Sequence, residues 1–187
     1  MGRRGEEVGR EGRLSAGRRA ALALVIAVLC ATAPVARADF AGRVVAVHDG
    51  DTVTVLAGGA DRRVRLSGID APERGQPYAS ASRRALAARV AGRDVVVLER
   101  GKDSYGRTLG RVIAVGVDAN LGQVRDGFAW VFRRFESDPA LIALEAEAKA
   151  ARRGLWRDPA PVPPWEWRAT HPPRPAQSGA PSPVPAR

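Results

Sequence analysis

One cysteine, Cys30, is all that 187 residues provide. A lone thiol cannot close an intrachain disulfide, so a disulfide scaffold is excluded. Histidine is almost absent too: His48 and His171 are the only two, which leaves no Cys/His cluster for a zinc site. Aromatic residues make up 5% of the chain, and lysine occurs only as Lys102 and Lys149 within an Arg-plus-Lys total of 30. No functional meaning attaches to the lysine shortage. The longest apolar run, Ala20 to Ala31, falls short of the ~20 residues that span a bilayer. What the chain does have is arginine. Against 20 acids it gives a net charge of +10, which suggests a polyanionic partner. A hydrophobic fraction of 45% argues for a packed core rather than a disordered chain.

The apolar run follows Arg18-Arg19 and precedes Pro34 and Ala36-Arg37-Ala38, the order of a secretory signal peptide with a small-x-small cleavage site. Residues 1–38 are therefore expected to be removed, leaving a secreted or periplasmic protein with no stable membrane partner. The alternative is a membrane tether made by an uncleaved segment 20–31. Cleavage after Ala38 removes seven Arg and three Glu, so the charge falls from +10 to +6 and the cysteine goes with the leader. At the other end, ten of the 14 prolines lie between Asp158 and Arg187. Residues 158–187 are expected to be an extended, disordered tail. Trp165 and Trp167 are its exceptions, open either to docking on the domain or to stacking on a ligand. One domain, residues 39–157, remains between these ends.

That domain begins with strands. Gly42 to Val47 and Thr52 to Leu56 are β-branched runs separated by Asp49-Gly50, a strong hairpin signal. Gly58-Gly59 marks a second turn, and Val64, Leu66 and Ile69 a third strand. A helix is expected from about Tyr78 to Val90, stopped by Gly92. Val95 to Leu98 and Leu109 to Val115 read as two more strands. Asn120 is placed to cap a short helix to Asp126, closed by Gly127, and Asp138-Pro139 opens a last helix running to Arg153, closed by Gly154. Five short strands, with one helix inserted after the third and two helices at the end, fit a Greek-key barrel of the OB type with helices (α+β).

Three clusters carry chemistry: His48 to Thr52 at the first hairpin, Arg65 to Glu73 where the third strand ends, and Asp103 to Arg107 between the later strands. Singly, each is ordinary turn, cap or hairpin chemistry. Together they supply three carboxylates (Asp51, Asp70, Glu73) and two guanidiniums (Arg65, Arg107). Carboxylates without thiols or imidazoles suit a hard divalent ion such as Ca²⁺. Guanidinium forks match phosphate oxygens, and Glu73 is available as a general base toward water. His48 reads as a bystander beside its hairpin, and His171 as inert.

In order along the chain, Asp49-Gly50-Asp51-Thr52, Arg65-Leu66 with Ile69-Asp70-Ala71-Pro72-Glu73, and Tyr105-Gly106-Arg107 resemble the signature of the staphylococcal nuclease (thermonuclease) family. The likeness runs from about Phe40 to Trp156. It implies an OB-fold barrel and a Ca²⁺-dependent phosphodiesterase, an endonuclease acting on DNA and RNA, with single strands the expected preferred form and a monomer the expected state. By position, Asp51 and Asp70 would give carboxylates to Ca²⁺ and Ala71 its backbone carbonyl. Glu73 would be the general base, and Arg65 and Arg107 would hold the phosphate. Tyr105 would lie near the nucleotide, and Phe135 and Arg133 would stand where the family's best-known member has two tyrosines at the base pocket. Ser104 replaces a lysine of that member, removing one charge. The alternative function is a nuclease-like OB module that binds nucleic acid without cutting it.

Overall fold

The computed structural model describes residues 39–172. The expected leader and the last part of the tail lie outside the described residues. Three strands come first: β1 (Phe40–Val47), β2 (Thr52–Ala57) and β3 (Ala60–Leu66). β1 and β2 are antiparallel across the expected Asp49-Gly50 turn, and β2 and β3 across Gly58-Gly59. The period of two is visible in burial, with Val53 and Val55 of β2 and Val64 of β3 turned wholly inward. After the two-residue strand β4 (Ile69–Asp70) comes helix α1 (Ala79–Val90), then β5 (Asp94–Lys102) and β6 (Thr108–Ala114).

The main sheet runs β3-β2-β1-β5-β6, extended by a short strand β7 (Val117–Asp118). It closes on itself because β3 also pairs with β6, in parallel, from Val64 opposite Thr108 to Leu66 opposite Gly110. The result is a closed five-stranded barrel with helices, as expected for an OB-type fold. Closure needs sharp bends, and β-bulges supply them: β1 slips register between Val44 and Ala46, and β5 between Glu99 and Gly101. Gly101 sits at φ 133, which a side chain would resist.

Helix α2 (Ala119–Arg125) and helix α3 (Pro139–Ala150) cover one end of the barrel together with the two-residue strand β8 (Trp130–Val131), which pairs with β4. The cap of α2 differs from expectation. Asp118, not Asn120, accepts from Leu121 N, at 3.0 Å. Asn120 is fully buried and serves the barrel seam instead: its Oδ1 accepts from Val112 N at 3.1 Å, and its Nδ2 donates to Ser67 O at 2.8 Å. The cap of α3 is as expected, with Pro139 in the first turn and Asp138 accepting from Ala140 N at 2.9 Å. A 3₁₀ turn (Gly154–Arg157) leads out of the domain.

The extended tail expected from Asp158 does not begin there. Pro164–Thr170 form a further helix, α4, because Pro164 sets its first turn and Trp165 has an aromatic partner to pack on. The Trp165 ring stacks on Phe132, with centroids 5.6 Å apart and planes 16° from parallel. Of the two readings for Trp165, docking on the domain is the one realised. Among the described residues no helix is long and apolar enough to cross a membrane.

Candidate active site

The loop between β1 and β2 is narrow. His48 N donates to Thr52 O, and Asp51 N to the Asp49 side chain at 3.0 Å, an Asx turn. Gly50 is required for packing, since a Cβ there would run into the Ser82 hydroxyl on α1. Gln123 of α2 clamps the same turn from beneath by donating to Gly50 O at 2.7 Å. The turn thus aims the Asp51 side chain inward, toward the end of β3.

Asp51 is 2% exposed and Asp70 is 0% exposed, and Arg65 bridges them. Its Nη1 donates to Asp51 Oδ1 at 2.8 Å and its Nη2 to Asp70 Oδ1 at 2.6 Å. Asp51 also accepts from the Thr52 hydroxyl at 2.9 Å and from Ala71 N at 2.8 Å. β4 carries Asp70 into place through its pairing with Trp130 of β8. Glu73, on the turn that follows, has its N–H bonded to Gln76 Oε1 at 2.9 Å.

Arg107 approaches from the β5–β6 hairpin. Asp103 Oδ2 holds its Nε at 2.6 Å, and Asp103 Oδ1 accepts from the backbone N–H groups of Tyr105 and Arg107. No other side-chain nitrogen of Arg107 has a hydrogen-bond partner among the described residues. Arg65, Glu73, Arg107, Tyr105 and Phe135 line one cleft of about 1170 Å³. Tyr105 is 83% exposed and Phe135 72% exposed, with the Arg107 guanidinium over the first ring and that of Arg134 over the second, each 5.4 Å from the centroid. A second cleft of about 600 Å³ shares Asp49, Glu73 and Arg107 with the first and adds Arg63, Arg74 and Arg83.

Not every expected residue arrives. Arg133 is outside both clefts. Its guanidinium donates to Glu145 Oε2 at 2.9 Å, on α3, where Lys149 and Val131 N also serve that buried carboxylate. Two residues appear that the sequence reading omitted: Gln123 behind the first turn, and Arg168. Arg168 of α4 reaches into the acid cluster, donating to Asp70 Oδ2 at 2.7 Å and to Glu73 Oε1 at 2.5 Å. A single basic residue in a proline-rich stretch gives no pattern that could have found it.

Burial dominates the electrostatics. It pushes the Asp51 carboxyl up to about 7, opposed by the neighbouring Arg65 guanidinium. Burial also works against the charge on Arg65, but Asp51 and Asp70 outweigh it and raise the pKa of the guanidinium. For His48, burial and then the Arg63 charge lower the imidazole pKa, so the ring is neutral at pH 7. It shares a hydrogen bond with Thr54 Oγ1 at 2.8 Å, in keeping with a bystander.

Among the described residues no three His, Cys, Asp or Glu side chains converge as a ready-made metal shell. The donor chemistry nonetheless fits a hard cation. Two buried carboxylates meet at one point, have only oxygen to offer, and are satisfied by guanidinium charge.

An OB barrel that sets two guanidiniums and Glu73 in one cleft, with two buried carboxylates bonded to one of those guanidiniums, defines a class, the barrel enzymes built for phosphodiester chemistry. Comparison with known proteins narrows it. The family model described as staphylococcal nuclease homologue matches residues 63–158. An Escherichia coli protein described as an uncharacterized endonuclease is 47% identical over 136 residues, covering 72% of this chain and 89% of its own. A Shigella flexneri protein named micrococcal nuclease is 40% identical over 157 residues, covering 78% of this chain and 90% of its own. The Escherichia coli protein ParB is 44% identical over 162 residues, with coverage of 80% and 89%. The chain belongs to the staphylococcal nuclease family, and it is a nuclease. Nucleases of this family are generally metal-dependent.

Proposed function

We propose that the protein is an exported, Ca²⁺-dependent endonuclease that hydrolyses DNA and RNA, single strands in preference. The observation that carries this reading is Arg65, which faces the cleft with Glu73 and Arg107 while its guanidinium bonds the buried carboxylates of Asp51 and Asp70. Asp51 and Asp70, with the Ala71 carbonyl, would hold Ca²⁺. When bound, that ion supplies positive charge next to the phosphate and the attacking water. Glu73 takes the proton of the water as it attacks phosphorus, and the bond from phosphorus to one sugar oxygen breaks, that oxygen leaving as an alcohol once it takes up a proton. Arg65 and Arg107 meet the charge that builds on the phosphoryl oxygens, most strongly where solvent is excluded. Tyr105 and Phe135 offer stacking faces to unpaired bases, which a duplex would keep stacked and out of reach. The second cleft continues from Glu73 and Arg107, giving an extended strand a path on the far side of the scissile phosphate.

Export rests on the leader pattern in residues 1–38, and a free N-terminus at Asp39 on the secreted or periplasmic protein would bear it out. A retained segment 20–31 would argue for a tether instead. For the chemistry, mature protein should degrade single-stranded DNA and RNA with Ca²⁺ and stop when the ion is chelated. Undiminished cleavage under chelation would refute the metal assignment.

A further inference from the structure

The acid cluster already holds cationic charge of its own. Arg65 comes from the barrel wall, but Arg168 comes from α4, 98 residues from Asp70 along the chain. Both terminal nitrogens of Arg168 are engaged: Nη1 with Asp70 Oδ1 at 3.2 Å and Glu73 Oε1 at 2.5 Å, Nη2 with Asp70 Oδ2 at 2.7 Å. Two contacts seat the segment that delivers it. Trp165 stacks on Phe132, and Gln76 Nε2 donates to Val162 O at 2.6 Å. The other end of that Gln76 amide holds the backbone of Glu73, so the tail is tied to the turn that carries the base. α4 has no side-chain N-cap, and Arg168 is 40% exposed. The segment is docked by a few contacts rather than embedded.

We propose that Arg168 is a built-in counter-cation. It neutralises Asp70 and Glu73 in the metal-free protein, a divalent cation must displace it, and α4 comes away as the cation binds. This rests on the reading of Asp51 and Asp70 as the cation's ligands. A carboxylate offers about four lone-pair positions. On Asp70 three are taken, one by Arg65 and two by Arg168. A cation on the fourth would lie against a guanidinium in a buried pocket, where screening by salt is weak. The two charges therefore bind in competition, and the antagonism is reciprocal. Displacement also frees Glu73. While Arg168 Nη1 is on Oε1, that oxygen is directed at a donor and is not open to a water proton. One residue thus sets the cation concentration at which the site opens and releases the base in the same step.

The test needs no nucleic acid. Ca²⁺ is titrated calorimetrically into the mature protein, Arg168→Gln and Trp165→Ala, with tryptophan fluorescence followed in parallel. Arg168→Gln should bind Ca²⁺ tighter by a factor within the roughly 5–150-fold range of site-to-site coupling. Trp165→Ala, which keeps the charge but loosens its seat, should tighten binding by less. In the unaltered protein Ca²⁺ should change the emission of the tryptophans on α4 and expose residues 158–172 to protease. Equal or weaker Ca²⁺ affinity in Arg168→Gln overturns the counter-cation role and leaves the ligand assignment standing. No binding by any of the three proteins overturns both.

Discussion

Asp51 meets Arg65, Thr52 and Ala71 at once while being shut off from water. Its carboxyl is raised to about 7 from an ordinary 3.8. The folded state then holds the proton more tightly than the unfolded chain does. The stability from this group is complete below about pH 4 and is lost as pH rises through about 7. A cation that binds through the carboxylate must expel the proton, so Ca²⁺ affinity should weaken as pH falls below about 7. Titrations at several pH values check this, and a flat profile would count against Asp51 as a ligand. Glu73→Gln should fold normally, because the side chain is partly exposed, and should lose roughly 10²–10⁴ in kcat. Arg65→Ala should cost about 3–5 kcal/mol of metal-free stability, because it leaves the buried Asp51 without a cationic partner while Asp70 keeps Arg168. Added Ca²⁺ should recover part of the lost Tm, which separates this effect from simple unfolding.

At the scale of elements, the chemistry depends on how strand ends are held. Gln123 donates to the first turn from one helix, and Ser82 of another packs against its Gly50. Gly50→Ala should therefore push Asp51 out of place, costing about 1–3 kcal/mol together with much of the Ca²⁺ affinity. Differential scanning calorimetry with and without the ion reads both effects. Arg133 shows how an element reassigns a residue: α3 brings Glu145 to it, and the pair belongs to the packing of β8. Arg133→Ala should leave KM unchanged, whereas Phe135→Ala, removing an exposed ring from the cleft, should raise it. Strand positions were legible in the sequence because alternation of Val with polar residues is local, and Val53, Val55 and Val64 all point inward as alternation requires. The cap of α2 was not, since Asp118 and Asn120 are both good caps and only closure of the barrel draws Asn120 into the seam.

Across the whole molecule, arginines not used in ion pairs also line the second cleft. Arg63, Arg74 and Arg83 line the second cleft and have no carboxylate partner among the described residues. Reversing Arg74 and Arg83 to Glu should raise KM for long single strands and leave cleavage of a dinucleotide unchanged. The salt dependence of binding should flatten by roughly 0.7 in log–log slope per lost phosphate contact. An unaltered slope would remove this cleft from the strand's path.

Most strands, their bounding turns and the residue types of the site were written in the sequence. These depend on periodicity, turn chemistry and spacing, which act over a few neighbours. Closure of the barrel through β3 and β6 was not written there, nor was the split of the expected third strand so that Ile69 pairs with β8. The tertiary structure alone decided which charges pair. Arg65 lies between Asp51 and Asp70, Arg133 turns away to Glu145, and Arg168 crosses from the tail to Asp70 and Glu73. Coulomb attraction depends on distance in space and on exclusion of water, and neither is written in the order of residues along the chain.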